Sequence, residues 1–157
     1  MKANTKLLDQ MLTATKTALD GGKLYLFAGN VPADADVALD MAATHTQLAV
    51  ITEDDSGSGL TFDAAVAGTL PKAASENWEG LIDFDGHESG STTLTATFFR
   101  FCPAGDDGRD AGGTTARIQG TIGGPSSAAD LKLTTTALTR NGSNTTGAAI
   151  FNITLTN

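Results

Sequence analysis

The sequence predicts a mainly β fold: a single β-sandwich or jelly-roll-like domain of about eight strands, preceded by an N-terminal α-helix. Three observations carry this. Charged residues make up only 18% of the 157-residue chain, against roughly 25% in an average soluble domain, and Thr, Ser, Gly and Ala take their place. Several segments alternate apolar and polar residues with period two. Turn-forming clusters separate those segments at short intervals.

The helix comes first. Leu8, Met11, Leu12, Thr15, Ala18 and Leu19 recur at three- and four-residue spacing and line one face. Asn4 is placed to cap its start, and Gly21-Gly22 gives its stop signal. Two roles are open to this face: covering the open end of a sheet, or docking on a neighbouring subunit. The face is narrow and the glycine pair permits a swing. The expectation is therefore an assembly arm over residues 1–22 ahead of a β domain over 23–157, with Leu8, Met11, Leu12 and Leu19 contacting a partner.

Strands are expected at Leu24–Ala28, Gln47–Thr52, Leu60–Ala65, Trp78–Phe84, Thr92–Cys102, Ala116–Ile122, Leu131–Leu138 and Ala149–Leu155. In LTATFFRF, Leu94, Ala96, Phe98 and Arg100 face one way, and Thr95, Thr97, Phe99 and Phe101 the other. In LKLTTTAL, Leu131, Leu133 and Thr135 oppose Lys132, Thr134 and Thr136. In AIFNITL, Ile150, Asn152 and Thr154 oppose Phe151, Ile153 and Leu155. This is the pattern of a sheet with one buried face. Gly29 and Pro32 form a corner, after which Asp34 or Asp36 is expected to start a helical turn. DDSGSG, DGHESG, PAGDDGRDAGG, GGPSS and RNGSNTTG supply the other turns, with Asn141-Gly142 the strongest hairpin signal.

Composition also excludes functions. A net charge of −8 with ten scattered basic residues disfavours nucleic acid, because phosphate binding needs clustered cations. No apolar run reaches the eighteen or so residues of a membrane span. The Met-Lys start lacks the continuous apolar stretch of a secretory signal, so the chain is expected to fold inside a cell. A single cysteine, Cys102, allows neither an internal disulfide nor a cysteine-based metal cluster, and is expected to pack as a small apolar group.

Candidate chemistry is sparse. DFDGHESG brings Asp85, His87 and Ser89 together in sequence, but a triad needs its members oriented by separate elements around a pocket. The other histidine is His45. The acidic turns DFDG and DDGRD lack the alternating ligands and distal Glu of a calcium loop: Asp83, Asp85 and Glu88 do not complete the pattern, and Arg109 interrupts the second turn. Neither phosphate-binding glycine motif occurs. Trp78, Tyr25 and Asn77 are thin material for a glycan platform. The expectation is no enzyme, no cofactor and no metal.

One resemblance covers most of residues 21–155. GGKLYLFAGNVPADADVALDMA, with its strand ending in an aromatic and a small residue, then Gly, Pro and Ala-Asp, resembles a segment of small virion proteins of tailed bacteriophages. GLTFDAAVAGTLPKAA, TATFFRFCPAGDDGRDAGG and the closing ADLKLTTTALTRNGSNTTGAAIFNITL follow the same plan. SENWEGLIDFDGHESGSTT and the N-terminal helix depart from it. The resemblance implies a capsid decoration or cement protein, or a neck or collar component, made in the host cytoplasm and carried in the virion. It supplies no catalytic residues. The partners it implies are the major capsid protein or neck and portal-associated proteins, and further copies of the chain itself.

Overall fold

The computed structural model describes residues 3–86, 92–140, 145–147 and 152–154. The first element is α1 (Thr5–Leu19), capped by Asn4, whose side chain accepts the Leu7 N–H at 2.9 Å. Its end falls where the glycines are: Gly21 lies at φ +81, and the Gly22 N–H returns to the Leu19 carbonyl at 2.9 Å.

Eleven strands follow among the described residues: β1 (Lys23–Ala28), β2 (Thr46–Glu53), β3 (Thr69–Pro71), β4 (Trp78–Gly86), β5 (Thr93–Thr95), β6 (Phe98–Cys102), β7 (Ile118–Gly123), β8 (Leu131–Lys132), β9 (Ala137–Thr139), β10 (Thr145–Gly147) and β11 (Asn152–Thr154). Seven of them form one sheet in the order β10-β4-β2-β1-β6-β7-β8, and β11-β3 and β5-β9 form two-stranded ribbons. Every pairing is antiparallel except β7 with β8. The protein is mainly β behind a single N-terminal helix.

The second layer of the sandwich is assembled from short pieces. Leu24 and Leu26 of β1, Ile51 of β2, Trp78 of β4 and Phe99 and Phe101 of β6 share one core with Leu12 and Leu19 of α1, Leu70 of β3 and Leu138 of β9. The helix and both ribbons thus cover one face of the sheet. The expectation of a single buried face is corrected here. Tyr25, Phe27, Phe98 and Cys102 point to the opposite side and form a smaller core with Leu39. The loops at 29–45 and 103–117 supply that cover, so Leu24–Ala28 and Phe98–Cys102 are buried throughout.

The long strand expected over Thr92–Cys102 changes layer midway. The Ala96 N–H donates to the Thr136 carbonyl on the β5-β9 side at 2.8 Å, and the Thr97 N–H donates to Phe27 in β1 at 2.8 Å. Alternation in FFRFC holds: Phe99 and Phe101 join the main core, Phe98 and Cys102 the smaller one. Leu131–Leu138 likewise splits into β8 and β9. Leu60–Ala65 forms isolated bridges rather than a strand, through Gly22–Leu60 and Phe62–Lys72, yet Leu60 and Phe62 are buried as period two requires.

Gly29 sits at φ +120, where a Cβ would lie 2.3 Å from the Thr44 carbonyl oxygen. The corner therefore requires glycine for both conformation and space. A short turn at 35–36 does follow Asp34, whose side chain accepts the Asp36 N–H at 2.9 Å, but no helix grows from it. A second turn closes later, from the Thr44 N–H to the Asp40 carbonyl at 3.0 Å. Asp40 caps it by accepting the Ala43 N–H. His87, Glu88, Ser89, the Asn141-Gly142 turn, Ile150, Phe151 and Leu155 lie outside the described residues.

Candidate functional site

The groups with chemical potential are absorbed by the loop cover over the smaller core. Arg100, in the interior strand β6, has no exposed surface. A buried guanidinium must have its donors satisfied. Its Nε donates to Gln119 Oε1 at 2.9 Å, Nη1 to the Gly108 carbonyl at 2.5 Å, and Nη2 to the carbonyls of Val37 at 2.8 Å and Asp34 at 3.2 Å. One side chain therefore fastens both covering loops to the sheet.

Two more arginines repeat the device. Arg117 forks onto Asp106, with Nε and Nη2 each 2.6 Å from a carboxylate oxygen, and donates to the Asp110 carbonyl at 2.6 Å. Burial pushes the Asp106 carboxyl up, but the Arg117 pair, the Gly108 N–H and the charge of Arg100 outweigh it and hold the group below the usual carboxylate range. Arg109 donates to Asp85 at 2.5 Å and to Gln47 at 3.0 Å. The two acidic turns singled out in the sequence do meet in space, and each directs a carboxylate at an arginine.

His45 and Cys102 are also committed. The Asp40 N–H donates to His45 Nδ1 at 3.1 Å, so Nε2 carries the proton and donates to the Asn30 carbonyl at 2.9 Å. The ring stands edge-on to Phe98. Cys102 is fully buried. Burial first, then the nearby Asp106 charge, pushes its thiol up to about 12, far from the reactive thiolate range. It packs as a small apolar group, as its strand pattern suggests.

A shallow polar groove of about 510 Å³ runs over β2 and β4 beside Gln47, Val50, Asp55, Leu81, Asp83, Phe84 and Asp85. Asp55 accepts the Leu81 N–H there at 3.0 Å and Asp85 holds Arg109. These contacts stabilise the turn and the loop cover.

Among the described residues, Val31, Val37 and Val66 are exposed singly on loops, whereas α1 presents two exposed large apolar side chains beside a cleft. A cleft of about 430 Å³ opens between the helix and the start of β7, lined by Leu12, Thr15, Ala18 and Leu19 on one side and Ala116, Arg117, Ile118 and Ile153 on the other. The charge of Arg117 is already held by Asp106, so the cleft is in effect apolar. Beside it the helix turns outward, with Leu7 47% and Met11 50% exposed.

This placement divides the four residues expected to contact a partner. Leu12 and Leu19 are wholly buried in the domain's own core, Leu8 is half-buried, and Met11 alone stands in solvent. The expectation of a swinging arm is corrected as well. Asp9 accepts the Gly68 N–H at 2.7 Å, Asp20 accepts the Phe62 N–H at 3.0 Å, and Lys16 donates to the Phe62 carbonyl. The glycine joint itself is sewn to the body by Gly21 N–H to Leu60 and Leu60 N–H to Gly22, at 2.9 and 2.8 Å. Helix and β-layers share one core, in which Leu12 and Leu19 are wholly buried.

Sequence reasoning missed Leu7 and Ala14, which lie exposed with Met11 and Ala18. Their signal is the four-three-four spacing from 7 to 18, masked by the stronger pattern of the inward face. It also missed Arg100 as a fastener, although a charge set between phenylalanines in FFRF marks a buried cation. No family model, curated protein or solved structure matches the chain.

Proposed function

We propose that the protein is a non-enzymatic virion structural component of a tailed bacteriophage, working as a homo-oligomeric decoration or cement protein on the coat lattice. The observation that carries this reading is the α1 surface. Leu7 and Met11 stand exposed beside an apolar cleft, on a molecule whose loop carboxylates and arginines are turned on one another. The resemblance over residues 21–155 supplies the virion context. The major capsid protein is the expected partner, and no nucleic acid, membrane or cofactor is involved. Many weak copies hold by avidity, because each added contact becomes effectively intramolecular once the first has formed.

A neck or collar position near the portal is the alternative within the same class. A carbohydrate-binding or adhesin-like module is the alternative of another class. It fares worse because Trp78 is buried, with Nε1 donating to Glu76 at 2.8 Å, and Tyr25 is buried in the smaller core. Neither aromatic presents a face to a sugar. Quantitative mass spectrometry of purified virions tests the proposal. A lattice component is present at hundreds of copies per particle and a neck ring at about a dozen, as closed symmetry dictates. Absence from the particle, with binding in a glycan screen, would transfer the protein to the other class.

A further inference from the structure

We infer that α1 pairs antiparallel with α1 of a second copy of this chain, through the outward stripe Leu7, Met11, Ala14 and Ala18. This deepens the proposal above and rests on its reading of the α1 surface as an assembly surface. The spacing is the first argument. Steps of four, three and four residues form the seam along which two helices interdigitate, and all four residues are exposed. The inward face of the same helix is spent on the domain's own core through Leu12 and Leu19. The stripe is thus a second apolar face on a helix that needs only one for its own fold.

Size selects the partner and its direction. The two bulky residues sit in the N-terminal half and the two alanines in the C-terminal half. A two-fold axis between positions 12 and 13 sets Leu7 against Ala18 of the second copy and Met11 against Ala14 of the second copy. Every layer then packs large on small, which is how a self-complementary interface fills its space. A parallel pair would set leucine on leucine and alanine on alanine, with crowding at one end and a gap at the other.

Charge points the same way. Residues 1–23 carry four lysines against two aspartates, whereas residues 24–157 carry six basic against sixteen acidic side chains. Two such molecules repel least where their N-terminal helices meet. Antiparallel apposition sets each helix N-terminus beside the other's C-terminus, which favours the pair. Gln10 and Thr17, which flank the stripe on one side, are uncharged. A single helix face is at the small end of specific interfaces, so the pairing is weak and concentration-dependent.

Sedimentation equilibrium and engineered crosslinks on the purified full chain test this. Wild-type protein is expected to pass from monomer toward dimer between about 1 μM and about 1 mM. Met11→Glu, and Ala18→Leu, which overfills the small side without adding charge, should each weaken the dimer at least about tenfold, a change of about 1.4 kcal/mol. Circular dichroism melts should show both variants as folded as wild type. On oxidation the double variant Leu7→Cys with Ala18→Cys should link into dimers, and Leu7→Cys alone should not. A chain that stays monomeric at the highest concentration, or a Leu7→Cys single variant that links as readily as the double, overturns the inference. A monomeric chain that still binds particles sinks the pairing and leaves the virion reading standing. A dimer found in no particle supports the pairing and sinks the virion reading.

Discussion

Arg117 and Asp106 form the best-defined ion pair among the described residues, with side chains only 4% and 12% exposed. Removing one partner of such a pair strands a buried charge. Asp106→Asn is therefore expected to cost about 3 kcal/mol, read from denaturant unfolding. The pair also sets an acid limit. The folded carboxyl titrates below its unfolded value of about 3.9, so the stabilisation is fully present above that value. It disappears as pH falls through the lower, folded value, because the unfolded chain takes up the proton first. Wild type should lose stability on acidification below about pH 4, and Asp106→Asn should show a shallower loss there. An equally steep acid limb in the variant would place the acid-sensitive group elsewhere.

At the scale of elements, α1 is both a wall of the core and an outward surface. The two roles separate by residue. Leu12→Ala removes a fully buried side chain and is expected to cost about 2–5 kcal/mol. Met11→Ala, at a half-exposed position, should stay within about 0.5 kcal/mol of wild type. Deleting residues 2–20 exposes the main core and removes the bonds to Phe62 and Gly68, so the truncated chain should fail to melt cooperatively. A folded, cooperative truncation would restore the swinging arm. Much of this element was legible in the sequence: the Asn4 cap and the glycine stop are local chemistry and are found where expected. Which way the helix docks was not legible. Leu12 and Met11 are adjacent in sequence and equally apolar in pattern, and only the path of residues 60–72 beneath the helix tells them apart.

For the whole molecule the same division applies. Three- and four-residue spacing predicted the helix, and period-two alternation with turn residues predicted the mainly β body and the cores of most long strands. β3 escaped because three residues, one of them Pro71, carry no period. The switch of layer at Ala96 and Thr97 escaped because both halves of the run alternate. The loop cover was the hardest part to see. Acidic, glycine-rich stretches read as solvated turns, and nothing local shows that Arg100, Arg109 and Arg117 fix them to Val37, Asp85 and Asp106. The exposed side chains of Leu7 and Met11 are apolar, so attachment to a lattice through α1 should rest on burial more than on Coulomb attraction. Exposed charges are screened beyond roughly 8–10 Å at ordinary ionic strength, whereas apolar burial is not.

The most direct test of the account is co-sedimentation of purified protein with particles stripped of it, in low salt and in about half-molar salt, for wild type and Met11→Glu. The expected result is wild-type binding that persists at the higher salt, with binding lost in the variant under both conditions. Progressive release of wild type by salt alone, with Met11→Glu binding normally, would show an acidic protein held by a basic coat surface and contradict the account.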